Sequence, residues 1–286
     1  MDVFAIPYDS GHRDTRMGNG PARLIDAGAL DGARALGAKV TVRTYEGPPN
    51  MLRAEAQSAF DIQRWLAERV AESRLGDALP IALAGNCMAA VGMFAGLRAA
   101  NRKPPVVCWF DAHGDFNTPE ITESGYLDGM TLAVLTGKCW TRAARSVPGF
   151  KPLAEESVAM FGTRDLDALE RTALNASGIL WRRASRKPEP TGDALLALRQ
   201  RSADVYLHVD LDSLDESEGR VNPYSSPGGL TAARLVELTR EIASTFRVAG
   251  MAITAYDPSV DPEGRIPPIV REVVDTVVKS ALSRNA

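Results

Sequence analysis

Histidine and cysteine are both scarce in this chain, with three of each among 286 residues. Cys87, Cys108 and Cys139 are too few and too scattered to build a disulfide framework, and they suit a reducing compartment. Charge of one sign is also missing. Thirty-three basic residues against 36 acidic ones leave a net charge of −3, which gives no electrostatic reason to expect a nucleic acid or an anionic membrane as partner. No apolar run nears the roughly 20 residues that span a bilayer. The opening MDVFAIPYDSGHRD has no basic stretch followed by an apolar one, so a cytoplasmic protein without a leader is expected. What remains, 45% hydrophobic and 24% charged residues, is the composition of a soluble globular protein.

Short β-rich runs alternate with amphipathic segments. The runs are VFAIP (3–7), KVTVRTY (39–45), LPIALAG (79–85), PVVCWFD (105–111), SVAMFG (157–162), DVYLHVD (204–210) and VAGMAITAYD (248–257). Several are apolar almost throughout, as strands covered on both faces should be. Between them, 59–73 carries Ile62, Trp65, Leu66 and Val70 at helical spacing, 231–246 reads likewise, and 267–282 opens on prolines suited to a helix start. This alternation predicts an α/β fold, a three-layer αβα sandwich around a mainly parallel sheet, formed by one domain over 1–286.

Ligands of such sheets gather at the carboxyl ends of strands, and Asp111, Asp210 and Asp257 each stand where a strand is predicted to end. Two motifs extend the first two. CWFDAHGDFN (108–117) sets Asp111, His113 and Asp115 at alternate positions, and HVDLDSLD repeats the spacing with Asp210 and Asp212. Alternate residues of an extended chain point to one side, so these groups can converge. Four carboxylates brought together repel one another unless a cation joins them, and an oxygen-rich set with one imidazole suits Mn²⁺. Taken singly, Asp111 reads equally as a strand-end turn former. His208, inside a strand, reads as a packed core histidine, and His12 lies in a polar loop.

DAHGDFN and HVDLDSLD resemble the two aspartate motifs of the arginase–agmatinase (ureohydrolase) family. RMGNGPARL (16–24), TPEITESGYLDGM (118–130), GTRDLD (162–167) and PGGLT (227–231) resemble further segments of that family, so the similarity runs through most of the chain. The resemblance implies two Mn²⁺ ions bridged by a hydroxide that attacks a guanidinium carbon, releasing urea and an amine. It implies Asp111, His113, Asp115, Asp210 and Asp212 as five of six metal ligands, with Asp111 and Asp210 bridging.

Three positions depart from the family pattern. GNCMAA (85–90) puts Cys87 where the family has a histidine ligand. Cys87 is either a thiolate ligand, which admits Zn²⁺ or Fe²⁺ beside manganese, or a small buried residue. The same replacement occurs in an arginase-like branch that hydrolyses Nω-hydroxy-arginine, and that branch shares GDFNTPE. Asp128 stands at the family's proton-shuttling histidine, a role a carboxyl fills only with its pKa tuned toward the working pH. Ala255 stands at the glutamate that grips the guanidinium; Asp257 or Asp128 takes that task, or the head group is not an ordinary guanidinium.

At the far end of the substrate, Asn117 and Ser124 match the positions that hold an α-carboxylate in arginases, and Asp167 the one near the α-amine. Asn117 and Ser124 are also ordinary loop residues with local hydrogen bonds. The expected function is metal-dependent C–N hydrolysis of a guanidino or amidino group on an arginine-like amino acid. The alternative is a metal-binding pseudoenzyme. Family members are commonly oligomers, so a homo-oligomer is the expected partner besides the small-molecule substrate.

Overall fold

The computed structural model describes residues 1–47, 54–101, 103–181 and 192–285. Its strands are β1 (Asp2–Ile6), β2 (Tyr8–Asp9), β3 (His12–Arg13), β4 (Thr41–Thr44), β5 (Pro80–Ala84), β6 (Val106–Phe110), β7 (Val158–Phe161), β8 (Leu180–Trp181), β9 (Asp204–Asp210) and β10 (Arg247–Thr254). The helices are α1 (Gly20–Asp26), α2 (Asp31–Ala35), α3 (Glu55–Leu75), α4 (Ala89–Ala100), α5 (Thr131–Leu135), α6 (Thr141–Ala144), α7 (Ala168–Asn175), α8 (Gly192–Arg201), α9 (Ala232–Thr245) and α10 (Ile266–Asn285). No helix among the described residues is long and apolar enough to cross a membrane.

Among the described residues the main sheet has eight strands in the order β4-β1-β5-β10-β9-β6-β7-β8, all paired in parallel. β2 and β3 form a separate antiparallel hairpin. All seven predicted strands are present: β9 has its predicted bounds, β1 and β10 begin one residue earlier and end one and three residues earlier than predicted, and the other four are trimmed by one or two residues at each end. β8 and the hairpin, two residues per strand, are too short to carry a periodic signal.

Alternation along each strand sorts the apolar side chains into two layers. Phe4, Ala82, Val107, Trp109 and Met160 pack on one face with Phe60, Leu66 and Val70 of α3 and Val91, Met93, Phe94 and Leu97 of α4. Val3, Ile81, Leu83, Cys108 and Leu207 pack on the other with Leu235 and Ile242 of α9 and Val270, Val274 and Val277 of α10. Hence the sandwich has three layers. The α3–α4 layer is tight because a Cβ at Gly96 would meet the Ala67 carbonyl oxygen at 2.5 Å, so only glycine permits this approach.

The topology decides where the site lies. β1, β4 and β5 build one half of the sheet, and β6, β7 and β8 the other. β9 and β10, last in sequence, fill the gap between β5 and β6. The carboxyl ends of β5, β10, β9 and β6 therefore meet at the point where the chain changes direction across the sheet, the expected crevice of a parallel α/β fold.

Candidate functional site

Asp111 directly follows β6 and Asp210 ends β9. Cys87 lies between β5 and α4, and Asp212 in a single 3₁₀ turn, Leu211–Ser213, after β9. The ligand atoms of Cys87, Asp111 and Asp210 lie within 4.8 Å of one another, and those of Asp111, His113 and Asp212 do the same. The two trios share Asp111. Asp210 belongs to the first alone.

The chain does not stay extended past β6. The His113 N–H donates to Asp111 Oδ1 at 2.7 Å, and the backbone N–H groups of Arg164 and Asp165 both donate to the Ala112 carbonyl at 2.8 and 2.9 Å. Asp115 then takes a left-handed conformation with φ of 48°. Asp111 is thus both a turn former and a member of the cluster, and Asp115 arrives by a sharp bend. Its Oδ2 is buried with no hydrogen-bond partner. Gly114, between them, faces Glu170, whose Oε1 would lie 2.6 Å from an added Cβ and accepts the Phe116 N–H at 2.9 Å.

Every other carboxylate here is oriented by donors. Trp109 Nε1 donates to Asp111 Oδ2 at 3.0 Å, and the Asp212 N–H to Asp210 Oδ1 at 2.8 Å. Asp212 accepts from the Ala112 N–H at 3.1 Å and from Asn222 Nδ2 at 3.1 Å. His113 Nδ1 stands 3.4 Å from both Asp111 and Asp212. The Cys87 thiol donates to Asp210 Oδ2 at 2.8 Å. Arg164 fixes the surrounding loops by donating to the carbonyls of Gly162, Asp212, Leu214 and Ser226, among others.

The electrostatics show the strain of this assembly. Burial, then the like charges of their neighbours, pushes the carboxyls of Asp115 and Asp210 well above the carboxylate range, and that of Asp111 upward too. Burial and then Asp210 raise the Cys87 thiol in the same way. Burial opposes a charge on His113, yet Asp212 and Asp111 raise it well above the ordinary imidazole value. A buried, unpartnered carboxylate oxygen beside mutually repelling carboxylates is what a divalent cation relieves, and the carboxylate, imidazole and thiol donors suit borderline and hard ions.

Asp128 opens a 3₁₀ turn and is buried against the start of α4. It accepts the Met88 N–H at 2.8 Å and Asn86 Nδ2 at 3.0 Å. Burial pushes its carboxyl up to about 7, although the donors of residues 86–88 hold it down, and the charge of Asp9 adds to the rise. Asp9 is wholly buried, accepts the Tyr126 hydroxyl at 2.9 Å and pairs with Arg16 at 2.8 Å.

Among the residues expected to meet a substrate, Asn117 Nδ2 donates to Asp167 Oδ2 at 3.2 Å while Asn117 Oδ1 is buried without a partner. Ser124 is exposed and accepts the Tyr126 N–H at 3.1 Å. Asp257, expected as one possible grip on the head group, accepts the Ser259 N–H at 2.9 Å and so caps the next turn. Ala255 is buried with φ of 65°, and its carbonyl accepts from Asn222 at 3.0 Å. Asn222, Glu170, Asn86 and Asp9 escape sequence reasoning, since each acts on residues distant in the chain. Only Asn86, next to Cys87 in a mostly apolar run, offered a local hint.

Comparison with known proteins agrees with this geometry. The chain resembles the N(omega)-hydroxy-L-arginine amidinohydrolase of Streptomyces lavendulae, with 31% identity over 212 residues, 73% of this chain and 72% of that protein. It is 26% identical to Arginase-1 of Rattus norvegicus over 302 residues, 99% of this chain and 91% of that one. The crystal structure of arginase from Bacillus caldovelox superposes with a TM-score of 0.87 at 23% identity, covering 97% of each chain. The Arginase family model matches residues 1–278, and with the paired aspartate motifs at the ends of the central strands this places the chain in the arginase family.

Proposed function

We propose that the protein is a binuclear-metal amidinohydrolase that cleaves a C–N bond of a guanidino group on an arginine-like amino acid, with an N-hydroxylated guanidine as the favoured head group. The observation that carries this reading is the pair of ligand trios sharing Asp111 at the meeting of the central strands. Cys87, Asp111, His113, Asp115, Asp210 and Asp212 would hold two divalent ions, Mn²⁺ first among them, with Zn²⁺ or Fe²⁺ admitted by the thiol. Bound there, such ions make water nucleophilic at neutral pH.

The remaining needs fall to this chain's own side chains. Asp128, poised at about 7, is suited to hand a proton to the departing amine. Asn117, with its bare Oδ1, and Asp167 offer acceptors for an α-amine, and the Asn117 amide reaches toward an α-carboxylate. Ser124 joins them from the loop rim. Ala255 supplies no counter-charge, which favours a head group larger and less basic than a plain guanidinium. The Streptomyces lavendulae relative carries such a substrate in its name.

The test is direct. Manganese-loaded protein is assayed for ornithine from arginine and from N-hydroxy-arginine, with urea or hydroxyurea as co-product. Faster release from the hydroxylated substrate is expected. Asp128→Asn should lower kcat by roughly 10²- to 10⁴-fold with metal retained. Bound metal with no product from any guanidino or formimino compound would leave the pseudoenzyme reading.

A further inference from the structure

His208 is chemically out of place in β9. Its strand neighbours Leu207 and Val209 are apolar, it is wholly buried, and its hydrogen-bond partners are hydroxyls rather than carboxylates, so the ring is neutral. A buried polar ring is costly unless its nitrogens are satisfied, and both are. Tyr206 Oη lies 3.2 Å from Nδ1, and Thr254 Oγ1 lies 3.5 Å from Nε2. The sheet register fixes the rest. Trp109 is the cross-strand partner of His208, and the two rings stack with centroids 3.6 Å apart and planes 12° from parallel. Thr254 pairs with Asp210 on one side and Ala84 on the other, which brings its hydroxyl to 3.2 Å from Cys87 Sγ.

The directions of these bonds follow from proton counting. The single thiol proton of Cys87 is spent on Asp210 Oδ2, so toward Thr254 the sulfur can only accept. The Thr254 hydroxyl faces two acceptors, the Val209 carbonyl at 3.5 Å and Sγ at 3.2 Å, and the closer contact makes Sγ its acceptor. The hydroxyl then accepts from His208 Nε2–H, and the bare Nδ1 accepts from the Tyr206 hydroxyl. All three bonds run one way, from Tyr206 to sulfur. The chain ends on the one candidate ligand that is not the family's histidine.

We infer that Thr254 and His208 are positioning residues that hold Cys87 as a hydrogen-bonded thiolate ligand and set which divalent ion the centre prefers. A donor on a thiolate draws charge from the sulfur and makes it a harder ligand, which narrows the advantage that thiolate gives zinc over manganese. The inference rests on the reading that Cys87 and its neighbours bind metal.

The test uses the purified full chain with Co²⁺, Mn²⁺ and Zn²⁺ alone as probes. Co²⁺-loaded protein should show a thiolate-to-cobalt absorption band in the near ultraviolet that Cys87→Ser abolishes. Thr254→Val, close in shape but without the donor, should move that band to lower energy and shift the Mn²⁺/Zn²⁺ affinity ratio toward zinc by roughly 10- to 100-fold. Thr254→Ser should restore both. His208→Phe, which keeps a ring on Trp109, should shift both readouts in the same direction as Thr254→Val and by less. A thiolate band unchanged in energy, with an unchanged affinity ratio, in Thr254→Val and His208→Phe overturns the inference and leaves the metal reading standing. Bound cobalt without any thiolate band removes Cys87 from the ligand set and overturns the inference, while the other five residues would still hold the metal.

Discussion

The Asn222 side chain donates to the Asp212 carboxylate at 3.1 Å, and both residues are almost wholly buried. The same amide reaches the Ala255 carbonyl at 3.0 Å, so one asparagine ties a candidate ligand in the turn after β9 to the backbone that follows β10. Donors behind a ligand fix its orientation, and their loss commonly costs metal affinity. Asn222→Leu is therefore expected to weaken divalent-ion binding by roughly 10- to 100-fold and to lower stability by about 1–3 kcal/mol, because the Ala255 carbonyl is left buried and unpaired. Metal titration and denaturant unfolding of the metal-free protein read the two effects separately.

Asp215 governs the loop beneath that asparagine. Its carboxylate accepts the Ser217 hydroxyl at 2.6 Å and the Gly228 and Gly229 N–H groups at 2.6 and 3.1 Å, and the Ser217 hydroxyl leads the donors that hold it down at about 2. A carboxyl depressed in the folded state stabilises the fold above its ordinary value of about 4. That contribution is lost as pH falls from about 4 to about 2. Asp215→Asn should thus cost about 1 kcal/mol at neutral pH, a low value because the group is half-exposed. The gap in melting temperature between wild type and variant should close below pH 4; a gap constant down to pH 2 would contradict this account.

Much of this site was legible in the chain because strand ends announce themselves. Apolar runs closing on Asp111 and Asp210 place both residues at one edge of a parallel sheet, and the structure keeps them there. The route to Asp115 was not legible. Alternate spacing suggests an extended chain, whereas the bend depends on the 48° φ of Asp115 and on backbone donors from residues 164 and 165. Contacts such as Cys87 with Asp210, or Glu170 with Phe116, join segments 123 and 54 residues apart. No local pattern encodes such pairs. Asp257, like Asp111, also caps the turn it starts, its Oδ1 accepting the Ser259 N–H.

Ala255 offers a gain-of-function test. Its backbone already sits at φ of 65°, a conformation that costs alanine and glutamate alike, so Ala255→Glu adds no new backbone strain. The added carboxylate supplies the counter-charge a guanidinium lacks here. A charge-assisted hydrogen bond contributes about 1.5–3 kcal/mol, which is roughly 10- to 100-fold. The ratio of kcat/KM for arginine over N-hydroxy-arginine is expected to rise by that factor. An unchanged ratio would mean that the head group does not lie against Ala255.

The amino-acid end separates substrate classes by a different route. Asn117 Oδ1 is buried and unpaired while its amide nitrogen contacts Asp167, an arrangement that leaves one strong acceptor to be satisfied by something outside the chain. An α-amine meets that need, and a neighbouring carboxylate meets the amide hydrogens. Asn117→Ala should therefore raise KM for an α-amino acid substrate by roughly 10-fold or more, with a smaller effect on kcat, because the lost contacts lie far from the bond that breaks. An analogue that carries neither group, such as n-butylguanidine, should react as poorly with the variant as with the wild type. Equal losses on both substrates would instead assign Asn117 to holding the loop, through its N–H bond to the Gly129 carbonyl at 3.1 Å.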